Sequence, residues 1–144
     1  MTELTAIDIL VNPDGATIER AKAVNARLRE SVPSGYALNA THQPHITTLQ
    51  RYVRTVDLDK VFAAVEVTIA ATDISSLGYE AVLIRHTGWS VPGQGYAVYV
   101  VKPSPQVLDF QTALLANVTP FVARGGTAAA FVTDKDDLDI NDPH

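Results

Sequence analysis

With 144 residues, 47% of them hydrophobic and 19% charged, the chain is sized for one domain with a real core and is too apolar to be disordered. Its formal net charge of -5 excludes a protein that coats nucleic acid by counterion release, but it permits a small nucleotide or an RNA end as partner. There is no cysteine, hence no disulfide, thiolate nucleophile or thiolate zinc site; with no leader-like N-terminus and no run of about 20 apolar residues, a cytoplasmic protein without a membrane span is expected.

Ala6 to Val11 is apolar apart from Asp8, and Ile7, Ile9 and Val11 share one face at period two, which predicts a strand. The turn residues Asn12-Pro13-Asp14-Gly15 follow, with Asp14 as a helix cap, and Ile18, Ala21, Val24 and Leu28 recur at helical spacing as far as Ser31. Pro33 and Gly35 stop that helix. A second strand, rich in Thr, Ile and Val, is predicted from His45 to Val53. Asp57 introduces a second helix with Leu58, Val61, Phe62 and Val65 on its apolar stripe. Leu77 to Ile84 and Gly95 to Val101 read as a hairpin around Gly88-Trp89-Ser90-Val91-Pro92-Gly93. Pro103 and Ser104 open a third helix, with Val107, Phe110, Leu114, Val118 and Phe121 buried. A small apolar run, Ala128 to Val132, precedes the acidic stretch Asp134 to Asp139. That stretch is expected to be a solvated loop, because dense like charge repels and stays exposed, and not a cation-binding loop, because the glycine and terminal glutamate of an EF-hand are not in place.

The stretch most informative about chemistry is His42-Gln43-Pro44-His45-Ile46-Thr47-Thr48-Leu49-Gln50. Pro44 fixes its own φ and biases Gln43 to extended geometry, so the strand is expected to begin at His45. Alternation then puts His45 and Thr47 on one face and Ile46 on the other. An imidazole moves a proton near neutrality and a hydroxyl donates to a phosphoryl oxygen, so the pair suits phosphate-ester chemistry. The pattern is short, however, and its plainer meaning is a histidine at a strand end beside a threonine kept for β-propensity.

Pro44-His45-Ile46-Thr47, on a second strand that follows a strand and a long helix, resembles the first signature of the 2H phosphoesterase superfamily. The similarity extends through Gln50-Arg51-Tyr52 and Asp57-Leu58-Asp59-Lys60-Val61 to Gly126-Thr127-Ala128-Ala129-Ala130-Phe131-Val132-Thr133, and is to bacterial 2'-5' RNA ligase-like proteins. The resemblance implies an α+β fold with antiparallel sheets and packed helices in two pseudo-symmetric lobes. It implies a reaction without metal or cofactor on a small nucleotide or RNA end carrying a 2',3'-cyclic phosphate or a 2'-5' linkage. His45 would be one acid/base and Thr47 a phosphate hydrogen-bond donor. Thr48, where the family motif is often apolar, is a small departure.

A second His-x-Thr or His-x-Ser motif supplies the opposing acid/base in that family, since one imidazole cannot easily both deprotonate the attacking water and protonate the departing oxygen. None of His42, His86 and His144 matches it: His86-Thr87-Gly88 has glycine at the hydroxyl position, and His144 is the last residue. The expectation is therefore one domain over residues 1–144, truncated at its C-terminus and with an incomplete second lobe. The alternatives are a non-catalytic phosphate- or nucleotide-binding module that retains one half-site, and an inactive, partly folded fragment.

His42 and His45 also form His-x-x-His, but residues three apart in an extended segment face opposite ways and no third ligand is near in sequence, so metal binding is not expected. His86 reads as a solvated turn residue. Arg51 shares the face of His45, Thr47 and Leu49 only if the strand stays regular. Tyr96 and Tyr99, three apart in a strand, cannot both face one cleft, and Trp89 in its Gly-flanked loop is ambiguous.

Overall fold

A computed structural model of the chain describes residues 3–40, 42–88 and 95–131. The alternating apolar segment at the N-terminus forms strand β1 (Leu4–Val11), and the Asn-Pro-Asp-Gly turn delivers the chain into helix α1 (Gly15–Ser31). Asp14 caps α1 by accepting a 2.7 Å hydrogen bond from the Thr17 amide, satisfying one of the donors a helix start leaves unpaired. Strand β2 (Ile46–Arg54) follows, then a 3-10 turn and helix α2 (Leu58–Ala70). The hairpin is β3 (Tyr79–Gly88) and β4 (Gly95–Pro103), and it leads through the Ser104 cap into α3 (Pro105–Val118). A short strand β5 (Val122–Ala123) and a 3-10 turn at Ala128–Ala130 close the described chain.

The described fold is therefore mixed α and β with antiparallel sheets. One sheet has the order β1-β2-β5, with both pairings antiparallel, and the other is the β3-β4 hairpin. The core lies where β2, α2 and α3 meet: Leu49 and Val53, Val61 and Val65, and Phe110, Leu114 and Val118 are buried together, with Ile7 and Ile9 of β1 packed against them. Fully burying an aliphatic side chain is worth about 1.5–3 kcal/mol, so this cluster anchors β2 firmly against the helices. Asn117 of α3 donates 2.9 Å to the Thr68 hydroxyl of α2, and Thr68 donates 2.8 Å to the Ala64 carbonyl, so the polar groups of the helix–helix contact are paired as well.

Several expectations need correction. The second strand begins at Ile46, leaving His45 just outside it. Leu28 and Phe62 occupy helical-stripe positions but are exposed, because α1 supplies nothing to the main cluster and α2 meets its neighbours along Val61, Val65 and Thr68. Phe121 lies beyond the end of α3, in a 3-10 turn, and still packs against the core. His86 belongs to β3, paired with Ala97, because the hairpin strands run further toward their connection than the apolar residues alone indicate. Trp89, Val132, the acidic stretch Asp134 to Asp139 and His144 lie outside the described residues. No helix among the described residues is long and apolar enough to cross a membrane.

Candidate functional site

The site forms where the 32–45 connection runs into β2. Two side chains of α1 hold the first part of that connection. Asn25 donates 2.8 Å to the Tyr36 carbonyl and accepts 3.0 Å from the Leu38 amide, while Arg29 donates 3.1 Å to each of the Pro33 and Gly35 carbonyls. The His42 ring meets Tyr36 edge-on with centroids 5.0 Å apart, and Asn39 and His42 exchange hydrogen bonds of 2.8 and 3.1 Å. These contacts tie Pro33, Gly35, Tyr36 and Leu38 to α1, and His42 to Tyr36 and Asn39.

His45 is exposed, and its Nδ1 lies 2.9 Å from the Gln43 carbonyl oxygen. A carbonyl only accepts, so this hydrogen bond places the proton on Nδ1 and leaves Nε2 of the neutral ring with a free lone pair directed away from the backbone. No described residue hydrogen-bonds Nε2. The geometry is that of a ring held at one nitrogen and open at the other, as an acid/base group needs.

Thr47 is also exposed, and its hydroxyl donates across the sheet to Oδ2 of Asp8 at 3.4 Å, a long contact. The same carboxylate oxygen accepts a 2.9 Å hydrogen bond from the Gln50 side chain. Thr47 and Gln50, three apart, reach one atom because β2 carries a bulge. Ile9 pairs with Leu49 and Leu10 with Thr47, so Thr48 is the extra residue with no partner in β1. Thr48 turns inward, is buried, and donates 2.7 Å to the Ile9 carbonyl; its own carbonyl accepts 2.9 Å from Gln111 of α3. The hydroxyl at this position thus pins the bulge, which an apolar side chain could not do.

The bulge shifts the phase of β2. Thr47, Gln50 and Tyr52 look out on the Ala6, Asp8 and Leu10 side of the sheet, whereas Leu49, Arg51 and Val53 take the other side. The strand is therefore not regular, and Arg51 does not share a face with Thr47; its guanidinium donates 2.7 Å to the neighbouring Gln50 carbonyl. The outward face is partly covered by the segment after β5. Gly126 lies against the Tyr52 ring, Phe131 meets that ring edge-on at 6.0 Å, and Ala130 is buried.

The structure leaves both His45 and Thr47 exposed, the first just before β2 and the second within it, and sets Asp8 and Gln50, which sequence reasoning did not place in the site, at the Thr47 side of the sheet. The signal for Asp8 was present, as the one charged residue of β1. Tyr96 and Tyr99 lie on the other sheet, opposite Thr87 and Ile84. Among the described residues, no group of three His, Asp or Glu side chains is gathered closely enough to hold a metal ion. No protein-family model, curated protein or solved structure matches the chain.

Proposed function

We propose that this chain is a phosphoesterase of the 2H type, similar to 2'-5' RNA ligases and cyclic phosphodiesterases, with His45 as a proton-transfer group and Thr47 as a hydrogen-bond donor to the phosphate. The observation that carries the proposal is the His45 ring, held at Nδ1 by the Gln43 carbonyl and open at Nε2, two residues before the exposed Thr47 with its hydroxyl. In the opening of a 2',3'-cyclic phosphate, a water oxygen bonds to phosphorus and one P–O bond to the ribose breaks. The water gives up a proton and the departing oxygen takes one. His45 Nε2 serves one of these transfers, and the other calls for a second acid/base group. On this proposal the three-stranded sheet with its helices is one lobe, and the β3-β4 hairpin belongs to the second.

A second possibility is a binding module that grips a phosphate or nucleotide without turning it over. It is favoured by the absence, among the described residues, of a second His-x-Thr or His-x-Ser pair to carry the other proton transfer.

The test is product formation from a 2',3'-cyclic nucleotide in excess chelator, comparing the chain with its His45→Ala variant. Turnover that falls by about 100-fold or more in the variant supports the catalytic role, since positioned acid/base groups contribute about that much. Shifts of the His45 and Thr47 NMR signals without product support the binding module. The absence of both turnover and binding refutes the two together.

A further inference from the structure

Asp8 is part of the site in a way the proposed chemistry does not require. Its Oδ2 lies 3.4 Å from the Thr47 hydroxyl, the group proposed to hold the phosphate, and the 2.9 Å hydrogen bond from Gln50 keeps that oxygen in place. Among the described residues Asp8 takes part in no ion pair, so its charge is answered by neutral donors alone. A phosphoryl oxygen bound to Thr47 at an ordinary hydrogen-bond length of about 2.8 Å would bring phosphorus to within about 8 Å of the carboxylate.

We infer that Asp8 is a charge filter, selecting singly charged phosphodiesters over doubly charged phosphomonoesters at the Thr47 site. The inference rests on the phosphoesterase or phosphate-binding reading of that site. A cyclic or linear diester carries one negative charge, whereas a monoester loses its second proton near about pH 6 and carries close to two at neutrality. Each unit of ligand charge meets the same repulsion from Asp8, so the monoester is disfavoured about twice as strongly as the diester. At such a separation, with a dielectric between that of a protein surface and water, the extra charge costs about a factor of ten in affinity. The Thr47–Asp8 contact is long enough for the hydroxyl to turn from the carboxylate to a phosphoryl oxygen. For a hydrolase the consequence is directional: the diester substrate is admitted, and the monoester product, carrying one more charge, is expelled.

The experiment measures affinities of the wild-type chain and Asp8→Asn for a nucleoside 2',3'-cyclic phosphate and the corresponding 2'-phosphate, by NMR titration at about pH 7.5, where the monoester is doubly charged. The expected result is that the wild type prefers the cyclic diester and that Asp8→Asn shifts the diester-to-monoester ratio about tenfold toward the monoester. The wild type gives an independent readout, because a Coulombic preference shrinks when salt is raised from about 50 mM to about 500 mM. A ratio unchanged in Asp8→Asn, or a wild-type preference insensitive to salt, overturns the filter while leaving the site intact. Failure of the wild type to bind either ligand overturns the filter and the functional reading together.

Discussion

The Nε of Arg54 lies 2.5 Å from Oδ2 of Asp57, three residues along the chain, and Lys60 approaches the other oxygen at 2.8 Å. The carboxylate is buried while both cations reach solvent, so one inward charge at the start of α2 is held by two outward ones. Asp57 precedes α2 in the manner of a cap but makes no side-chain cap hydrogen bond, its oxygens being taken by Lys60 and Arg54.

Those hydrogen bonds, the one from Lys60 foremost and then that from Arg54, hold the Asp57 carboxyl below the usual carboxylate range, against the opposing effect of burial. A carboxyl whose value is depressed on folding contributes stability in full above its unfolded value of about 3.9 and loses it as the pH falls through the lower folded value. Thermal unfolding followed from about pH 5 down to about pH 2 should therefore fall more steeply for the wild type than for Asp57→Asn. Equal acid slopes would show that the pairing contributes nothing to the acid transition.

Gln111 should matter to the site although it belongs to α3. Its amide closes the carbonyl of Thr48 at the bulge, and that bulge is what turns Thr47 and Gln50 to the same side. Gln111→Ala leaves a carbonyl without its partner, at a cost of about 1–3 kcal/mol in unfolding free energy. Whatever ligand response His45 and Thr47 show should weaken in step. A variant with lowered stability and an unchanged ligand response would mean that the bulge holds its shape without α3.

Gly126→Ala should destabilise the chain through a single collision, since a methyl group at this position points into the Tyr52 ring. Overpacking of this kind costs about 1–3 kcal/mol. In a Tyr52→Ala background the same change should cost far less, because the ring that it strikes is gone. Denaturant unfolding of the two single variants and the double variant measures the coupling, and strict additivity would contradict it.

Much of the fold was legible in the residue pattern. Asp14, the period-two strand after Ala6 and the stripe Val107, Phe110, Leu114 and Val118 are local devices, set by capping chemistry and by where apolar side chains recur, and they stand where expected. The two-residue strand Val122–Ala123 was not legible, since it exists only because β2 offers Tyr52 and Val53 an edge to pair with. Leu28 and Phe62 fit their stripes and are exposed, because periodicity marks a face without saying whether another element arrives to cover it.

The site divides in the same way. The sequence by itself determined that an imidazole and a hydroxyl stand two residues apart where Pro44 turns the chain toward an extended strand, because a proline acts on its immediate neighbours. Only the tertiary structure decided that His45 would be held by the Gln43 carbonyl, that Thr48 would bulge inward, and that Arg51 would lose and Asp8 and Gln50 would gain a place beside Thr47. A bulge is a mismatch between two strands, and which residue of β2 goes unpaired depends on what β1 and α3 offer it, here the Ile9 carbonyl and the Gln111 amide from distant parts of the chain.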